Sequence, residues 1–195
     1  MRRAVATPII EGAREFLKIE EDIPVVLILG GSQGARKINE ALLEALPQLV
    51  QKYAVIHQAG PKNLPEVKAT ADAILHSSAY KDRYKPFDYL NQLALRMSAG
   101  VATVAVSRAG SSIFEIASWG VPAIIIPINK NVSRDQHVNA FAFARAGGCT
   151  VVEENNLPGN ILVSEISRLV ESEPLRQRMI EADKVFYKPD AAKLI

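Results

Sequence analysis

Along the chain, short runs of aliphatic residues alternate with longer stretches in which apolar residues recur every three or four positions. The run Val25–Leu29 predicts a buried strand, and residues 35–50 behind it, with Ile38, Leu42 and Leu46 at helical spacing, predict a helix. Further strands are predicted at 53–57, 80–84, 101–106, 123–126 and 149–152. Further helices are predicted at 64–71, 89–97, 112–119, 135–146, 162–170 and 175–186.

Strands that alternate with helices predict an α/β fold, a Rossmann-like parallel sheet with helices on both faces. The strands are nearly continuous in Val, Ile and Leu, as expected when helices cover both faces of a sheet. Ligands of such sheets bind beyond the carboxyl ends of the strands. The loops that leave the strand ends are therefore the first places to search, and three of them are chemically unusual.

Composition narrows the class of protein. With 195 residues, of which 48% are hydrophobic and 23% charged, the chain has the balance of a soluble globular domain. Its net charge of +2 is too small for a nucleic-acid footprint, and no apolar stretch is long enough to span a bilayer. The single cysteine, Cys149, is predicted to be a small core residue, and the lack of any internal disulfide fits a cytoplasmic chain.

The first unusual loop is Gly30-Gly31-Ser32-Gln33-Gly34, at the end of the first predicted strand. Glycines let a ligand approach the backbone closely, and the helix start behind them offers free N–H groups and a positive dipole end to a phosphate. Neither the Gly-x-Gly-x-x-Gly fingerprint nor a Walker lysine is present. Spacing alone leaves open the alternative of a tight strand-to-helix turn capped by Ser32.

The second loop runs from Ser107 to the start of the helix that carries Glu115. Glu115 lies one turn into that helix, where a carboxylate can accept two hydrogen bonds from a ribose diol. Ser112-x-x-Glu115 also matches a capping box, and spacing alone favours this structural alternative. Arg108 leaves the strand end just before Gly110, so we predict that it pins loop carbonyls.

The third loop, residues 127–136, ends on Asp135 and Gln136 at the start of a predicted helix. Aspartate accepts hydrogen bonds and glutamine both accepts and donates them, so the pair suits the hydroxyls of a sugar. The alternative is again a capping box, Ser133-x-x-Gln136.

The sequence predicts no metal site. No Asp-x-Asp pair occurs, although carboxylates are the usual means of holding a nucleotide diphosphate through a metal. None of His57, His76 and His137 has a partner spaced for a metal or a catalytic triad. We therefore expect no cofactor and no tightly bound metal, and a diphosphate would instead be held by glycine loops, helix ends and basic groups.

Taken together and in this order, the three loops resemble the C-terminal, donor-binding domain of MurG, a family of bacterial N-acetylglucosaminyltransferases within glycosyltransferase family 28 that has the two-domain GT-B fold. The resemblance covers nearly the whole chain. The matching motifs are residues 30–35 with Asn39 for GGSQGA…N, residues 107–110 with Glu115, Gly120 and Pro122 for SRAG…E…G-P, and Gln136 with Asn139 and Ala140 for Q-x-x-N-A.

The resemblance implies a set of substrate-binding residues. Ser32 and the backbone of Gly30 and Gly31 would face the diphosphate of UDP-N-acetylglucosamine (UDP-GlcNAc). Gln33 would support that loop, and Glu115 would hold the ribose hydroxyls in spite of the capping-box alternative. The other implied contacts are Arg108, Gly110, Ser111, Ser112 and Ile113 near the diphosphate and ribose, the backbone at Phe87 on the uracil edge, Asp135 and Gln136 on the N-acetylglucosamine hydroxyls, and Arg2 on phosphate.

The resemblance also implies a domain plan. Residues 1–195 would be the UDP-GlcNAc-binding domain, with 1–22 as interdomain linker and leading helix, 23–172 as Rossmann-like core and 173–195 as a truncated closing helix. The acceptor-binding N-terminal domain would be absent, and the catalytic base is expected there. We therefore expect this chain alone to bind UDP-GlcNAc and to transfer little or nothing.

The implied activity is an inverting transfer of N-acetylglucosamine onto a lipid-linked muramoyl-pentapeptide, which makes lipid II from lipid I in peptidoglycan synthesis. The implied location is cytoplasmic, peripheral on the inner membrane when full length, with no nucleic-acid partner. Two departures from the family pattern are a second loop shorter by one residue between Gly110 and Glu115, and Asp135 where histidine or glutamine is common.

Two other functions stay open at this point. The chain would also fit the donor subunit of a split UDP-GlcNAc transferase that works with a membrane subunit. It would also fit a nucleotide-sugar-binding module without any transfer role. A phosphate-binding oxidoreductase is disfavoured, because the dinucleotide signature and its ribose-binding acid are missing.

Overall fold

The sheet of this computed structural model, which describes residues 7–30 and 35–186, contains six parallel strands. The strands are β1 Val25–Leu29, β2 Ala54–Gln58, β3 Tyr84–Phe87, β4 Ala102–Ser107, β5 Ala123–Ile125 and β6 Cys149–Val151. The helices are α1 Ala13–Leu17, α2 Arg36–Lys52, α3 Leu64–Ile74, α4 Gln92–Val101, α5 Ser112–Trp119, α6 Arg134–Arg145, α7 Gly159–Glu171 and α8 Glu173–Phe186. The predicted α/β class with a parallel sheet is confirmed.

The order of the strands in the sheet is β3-β2-β1-β4-β5-β6. The chain winds outward from β1 in one direction as far as β3, and then crosses back to β4 and winds the other way. This is the doubly wound order, and the crevice outside the carboxyl ends of β1 and β4, where the winding reverses, is the place where such sheets bind ligands.

Helices cover both faces of the sheet, which explains why the strands are continuously aliphatic. All five residues of β1 are buried, and they point to the two faces in alternation. Val26 and Ile28 belong to a core formed with α2, α3 and α7. Leu27 and Leu29 belong to a second core, formed with α1, α4, α5 and α6.

Two predicted elements are wrong in their bounds, whereas most of the others agree to within about three residues. The predicted strand at 80–84 begins only at Tyr84, because residues Lys81–Arg83 form a 3₁₀ turn. The predicted helix at 89–97 is α4, which starts later because the side chain of Asn91 accepts a hydrogen bond from the Ala94 N–H at 2.9 Å and caps it.

The segment before β1 lies directly on α4. The Ile9 N–H donates to the Arg96 carbonyl at 3.0 Å, and the Arg96 guanidinium donates to the Thr7 carbonyl at 2.7 Å. A Cβ atom at Gly100 would stand 2.0 Å from the carbonyl oxygen of Ile9, so only glycine allows this approach. The domain boundaries proposed at residues 22 and 172 stay predictions.

Within residues 7–30 and 35–186, no helix is both long and apolar enough to cross a bilayer.

Candidate functional site

A cavity of about 800 Å³ opens at the carboxyl ends of β1 and β4, where the winding of the sheet reverses. This volume lies within the range of small-molecule sites. Residues of the second and third unusual loops and the two described ends of the first, Gly30 and Ala35, meet here, as their places at strand ends predict. The lining residues are Leu29, Gly30, Ala35, Arg36 and Lys37 from β1 and α2, Gln58, Tyr89, Leu90 and Leu95 near β2 and β3, Arg108, Gly110, Ser111, Ser112 and Glu115 from the second loop and α5, and Ile128, Gln136 and Glu154.

The first loop is described only at its two ends. Gly30 is buried, and its N–H donates to the Gln58 carbonyl at 3.0 Å. Gly30 and Ala35 both line the cavity. The predicted contacts of Gly31, Ser32 and Gln33 lie outside the described residues, as does the one predicted for Arg2.

The helix behind that loop is anchored by a buried chain of hydrogen bonds. The amide nitrogen of Asn39 donates to the Ala59 carbonyl at 3.1 Å, so its Oδ1 accepts from His57 Nε2 at 3.0 Å. His57 Nδ1 then accepts from the Tyr84 hydroxyl at 2.8 Å. Burial lowers the pKa of His57 to about 3, which keeps the imidazole neutral. The chain fixes the first turn of α2 against β2 and β3, beside the cavity.

Sequence reasoning missed this network, because its members come from α2, β2 and β3 and become neighbours only in the folded sheet. Asn39 belongs to the first sequence motif, but nothing in the spacing of that motif pointed to His57.

The second loop presents unused backbone donors to the cavity. Among the described residues, the N–H groups of Ser111 and Ser112 at the start of α5 have no acceptor. The Ser112 hydroxyl donates to the Arg108 carbonyl at 3.1 Å and lies 2.9 Å from the Ser107 hydroxyl. The Ser112–Glu115 capping box is therefore wrong for the serine, because Ser112 already lies inside the helix and its hydroxyl turns back to the loop.

Glu115 lines the cavity from the first turn of α5. It is only 6% exposed, so its carboxylate is largely shielded from bulk water. Ile113, in the same turn, is fully buried in the core, and its N–H donates to the Gly110 carbonyl at 3.3 Å. Of the predicted contacts in this turn, Ser111, Ser112 and Glu115 line the cavity and the Ile113 side chain does not.

Arg108 pins the loops, as its place at a strand end predicts. Its guanidinium donates to the Ile126 carbonyl at 3.3 Å and pairs with the carboxylate of Glu154. The two side chains are 15% and 14% exposed. Glu154 also accepts from the Asn129 N–H at 3.4 Å, so this one ion pair ties together the loops after β4, β5 and β6. The sequence carries no motif that identifies Glu154.

The third loop forms only half of the predicted capping box. The Ser133 hydroxyl accepts from the Gln136 N–H at 3.5 Å, but Gln136 Oε1 reaches across to accept from the Ile128 N–H at 3.4 Å. The side-chain nitrogen of Gln136 donates to no acceptor in 7–30 and 35–186, and the residue lines the cavity. Asp135 is exposed and lies outside the lining.

Phe87 ends β3 at the margin of the site. Its carbonyl accepts from the Ala59 N–H at 2.9 Å, and its side chain packs against the core. The neighbouring wall of the cavity is formed by Tyr89 and Leu90, whose N–H donates to Gln58 Oε1 at 3.0 Å. The contact of the Phe87 backbone with uracil stays a prediction.

No cluster of three or more His, Cys, Asp or Glu side chains in the described chain is arranged to hold a metal ion. None of the three histidines lines the cavity. Cys149 is buried, and burial raises the pKa of its thiol to about 12, which agrees with the predicted core role.

The chain is similar to proteins whose names describe one transferase. It is 36% identical over 171 residues to the UDP-N-acetylglucosamine--N-acetylmuramyl-(pentapeptide) pyrophosphoryl-undecaprenol N-acetylglucosamine transferase 3 of Bacillus thuringiensis strain Al Hakam, a match that covers 85% of this chain and 46% of the relative. A transferase of the same name from Geobacillus kaustophilus is 35% identical over 173 residues, covering 88% and 45%. The chain thus spans about half the length of these relatives.

Solved structures confirm the fold. MurG of Acinetobacter baumannii superposes with a TM-score of 0.74 at 21% identity, covering 97% of this chain and 52% of that one. The C-terminal CMP-Kdo binding domain of WaaA from the same species gives a TM-score of 0.63 at 17% identity, covering 92% and 98%. The family model of the glycosyltransferase family 28 C-terminal domain matches residues 25–195. The chain belongs to the family of glycosyltransferase family 28 C-terminal domains.

Proposed function

We propose that this chain is the donor-binding half of an inverting glycosyltransferase that moves N-acetylglucosamine from UDP-GlcNAc to a lipid-linked muramoyl-pentapeptide and so forms lipid II. The observation that carries the proposal is the cavity at the reversal of the sheet, with helix-start N–H groups, a buried carboxylate and a free amide donor on its wall. The names of the relatives from Bacillus and Geobacillus support this donor and acceptor.

The diphosphate binds at the start of α5. The N–H groups of Ser111 and Ser112 have no acceptor among the described residues, and the positive end of the helix dipole adds to their pull on an anion. Arg36 and Lys37, which line the opposite side of the cavity, contribute positive charge although both also contact Glu40. This set of donors holds a diphosphate without a metal.

The two sugars of the donor are recognised by side chains one turn further along α5 and at the start of α6. An ionised carboxylate only accepts hydrogen bonds, so Glu115 suits two ribose hydroxyls that donate to it. Gln136 has its oxygen engaged by the Ile128 N–H, which leaves its amide nitrogen to donate to a hydroxyl of N-acetylglucosamine. Asp135, in the exposed first turn beside it, contacts the same sugar.

The reaction is a displacement at the anomeric carbon. The acceptor hydroxyl forms the new C–O bond, the bond to UDP breaks, UDP leaves with the electron pair, and the hydroxyl proton passes to a base. Negative charge grows on the diphosphate as that bond breaks. The N–H groups at the start of α5 are held in place beforehand, so they stabilise this charge without reorganising.

The acceptor is attached to a lipid and therefore resides in a membrane, so the full-length protein would act at the cytoplasmic face of that membrane. The proposal therefore includes this membrane location and a second half that binds the acceptor. The base belongs to that second half, because no histidine lines the cavity of the described chain and Glu154 is held by Arg108.

Calorimetric titration of this chain with UDP-GlcNAc, UDP and CMP tests the proposal. We expect UDP-GlcNAc to bind more tightly than UDP, CMP to bind weakly, and EDTA to leave the affinities unchanged. Glu115→Gln weakens binding by about ten- to a hundred-fold, because hydrogen bonds to a charged group are lost. Glu181→Gln, on the exposed surface of α8, is the matched control and binds as wild type.

Two results would contradict the proposal. One is equal affinity for UDP and UDP-GlcNAc together with no effect of Gln136→Ala, which favours a nucleotide-binding module without a transfer role. The other is equal loss of affinity in Glu115→Gln and Glu181→Gln, which would place the ligand outside the cavity.

A further inference from the structure

Helix α6 carries an outward-facing stripe of exposed and half-exposed residues that the proposed site does not use. Its inward side is buried through Ala140 and Phe143. Its outward side presents five residues at helical spacing, which we call the α6 stripe. The α6 stripe consists of Arg134, His137, Val138, Phe141 and Arg145.

The α6 stripe is apolar in its middle and basic at its ends. Val138 is 57% and Phe141 39% exposed, and Val132 in the preceding loop is 71% exposed. The His137 ring stacks on Phe141 with 5.5 Å between the ring centroids. Together with Lys130, the stripe lines a shallow groove of about 330 Å³.

This surface carries three cations that have no carboxylate partner among the described residues. Lys130, Arg134 and Arg145 form no ion pair with any carboxylate in the part of the chain that the structure describes. Some other surface cations hold carboxylates, as in the pairs Arg36–Glu40, Lys52–Glu171, Arg83–Glu20, Arg168–Glu165 and Lys184–Glu181. Lys62 and Lys68 by α3 form no ion pair with any described residue either, so the α6 stripe differs from them in joining its cations to exposed apolar side chains.

Two acids lie near the stripe and reduce its charge without neutralising it. Asp135 adjoins Arg134 in the first turn of the helix, and Glu153 lines the neighbouring cavity on the far side of Lys130 and His137. Lys130, Arg134 and Arg145 therefore outnumber these two acids.

The layering of this surface fits a bilayer better than an acidic protein. In a bilayer interface, anionic phosphates lie above acyl chains, so one surface meets both charge and apolar groups. Long basic side chains can reach the headgroups while Val138 and Phe141 enter the apolar layer beneath them. An acidic protein face offers the charge alone and leaves the three exposed apolar side chains in water.

We propose that the α6 stripe, with Lys130 and Val132 before it, docks this chain on a membrane surface that carries anionic lipids. Gln136, near the start of the same helix, lines the candidate site, so docking brings the mouth of the cavity close to the bilayer. The inference concerns the outer face of α6 and does not depend on donor binding.

Vesicle flotation of the chain tests this inference. We use vesicles of phosphatidylcholine alone and vesicles in which about a third of the lipid is phosphatidylglycerol. The chain is expected to float with the anionic vesicles, to stay behind with the neutral ones, and to dissociate as the salt concentration rises. Lys130→Gln/Arg145→Gln weakens binding by about 30-fold, because each cation near an anionic surface contributes roughly a fivefold share.

A second variant separates the apolar contribution from the charge. Val138→Ser/Phe141→Ser keeps the net charge and is expected to weaken binding by at least about tenfold. The matched control is Lys62→Gln/Lys68→Gln, which removes two cations by α3, near the opposite edge of the sheet, and binds as wild type. UDP-GlcNAc titration of each variant checks that the site and the fold are intact.

Several outcomes would overturn the inference. They are absence of flotation with anionic vesicles at low salt, equal binding to neutral vesicles, and an equal loss in the Lys62/Lys68 control. If UDP-GlcNAc binds normally while flotation fails, the docking surface is wrong and the proposed donor site stands. If flotation succeeds while the wild-type chain does not bind UDP-GlcNAc, the docking surface stands and the proposed donor site is wrong.

Discussion

At the scale of single residues, some buried polar side chains have hydrogen-bond partners among the described residues and others have none. Both ring nitrogens of His57 and both the amide oxygen and nitrogen of Asn39 have hydrogen-bond partners, and these bonds offset the cost of burying the two side chains while they position α2. Asp183 on α8 is also fully buried, but neither of its carboxylate oxygens meets a hydrogen-bond donor in 7–30 and 35–186. The first arrangement stabilises the site, and the second makes the chain sensitive to pH.

Asn39→Ala should reduce both stability and donor affinity. The change removes the bond to the Ala59 carbonyl and the acceptor for His57, which leaves a buried N–H group unsatisfied and frees the first turn of α2. We expect a loss of about 1–3 kcal/mol in the free energy of unfolding and weaker UDP binding, measured by urea unfolding and calorimetry.

Val50→Ala is the control for that experiment, since Val50 is fully buried near the other end of the same helix. It should lower the free energy of unfolding and leave UDP affinity unchanged. If both variants lost affinity in proportion to their lost stability, Asn39 would be an ordinary core residue and its positioning role would be refuted.

Asp183→Asn should change the pH dependence of stability. Burial raises the pKa of Asp183 from 3.8 to about 8, so between these values the folded state binds a proton that the unfolded state has lost. The free energy of unfolding of the wild type therefore falls as pH rises from about 4 to about 8 and stays low above that. Asp183→Asn has no ionisable group at this position, so its free energy of unfolding, relative to that of the wild type, increases with pH.

Urea unfolding at several pH values between about 5 and 9 measures this effect, and a difference of a few kcal/mol at the alkaline end is expected. Asp82→Asn, at an exposed position, should follow the wild type at every pH. A constant difference between Asp183→Asn and wild type would show that the carboxyl group is ionised across the whole range.

At the scale of elements, the helix behind the first loop, α2, is supported by close packing against α7. Gly159, the first residue of α7, donates from its N–H to the Glu44 carboxylate of α2 at 2.9 Å. A Cβ atom there would stand 2.6 Å from the Glu44 Cβ and 3.1 Å from the Ala41 carbonyl. The contact between α7 and α2, which supports the helix behind the first loop, therefore requires glycine at this position.

Gly159→Ala should lower the free energy of unfolding by about 1–3 kcal/mol, because the added methyl group forces the two helices apart. Alanine has the higher helix propensity, so a local effect alone would have the opposite sign. Asn160→Ala, at the exposed neighbouring position, should be neutral or slightly stabilising in the same urea titration. A stabilised Gly159→Ala would show that α7 moves freely on α2.

Elements with a strong pattern were predictable, and side-chain partners across elements were not. Continuous aliphatic runs gave β1 and β5, and helical spacing with a following glycine gave α5, whose end at Gly120 has φ 64. The start of α4 was missed because the Asn91 cap outweighs the apolar pattern before it. The ion pair of Arg108 with Glu154 joins residues 46 positions apart, which no local pattern encodes.

At the scale of the whole molecule, the doubly wound sheet brings the second and third motif loops and the described ends of the first to one crevice. The candidate site was predictable because the carboxyl ends of β1, β4 and β5 lie side by side, and the motif residues follow those ends. Gln58, Tyr89 and Leu90 were not predicted, since Gln58 ends β2, and Tyr89 and Leu90 follow β3, without a recognisable motif.

The chain of 195 residues should bind UDP-GlcNAc and transfer little or no sugar by itself. The described cavity wall supplies hydrogen-bond donors for the diphosphate and a hydrogen-bond-accepting carboxylate for the ribose. It supplies no histidine to act as a general base on the hydroxyl of the lipid-linked acceptor. A transfer assay with a lipid-linked acceptor measures this. Full turnover by the chain alone would contradict the assignment of the base to a second half.

The most direct test of the central claim is a crystal structure of the chain with UDP-GlcNAc. We predict that the diphosphate lies within hydrogen-bond distance of the Ser111 and Ser112 N–H groups, with the ribose hydroxyls on Glu115 and the N-acetylglucosamine near Gln136. A nucleotide sugar bound away from the carboxyl ends of β1 and β4, or a crevice left empty at saturating ligand, would contradict the account.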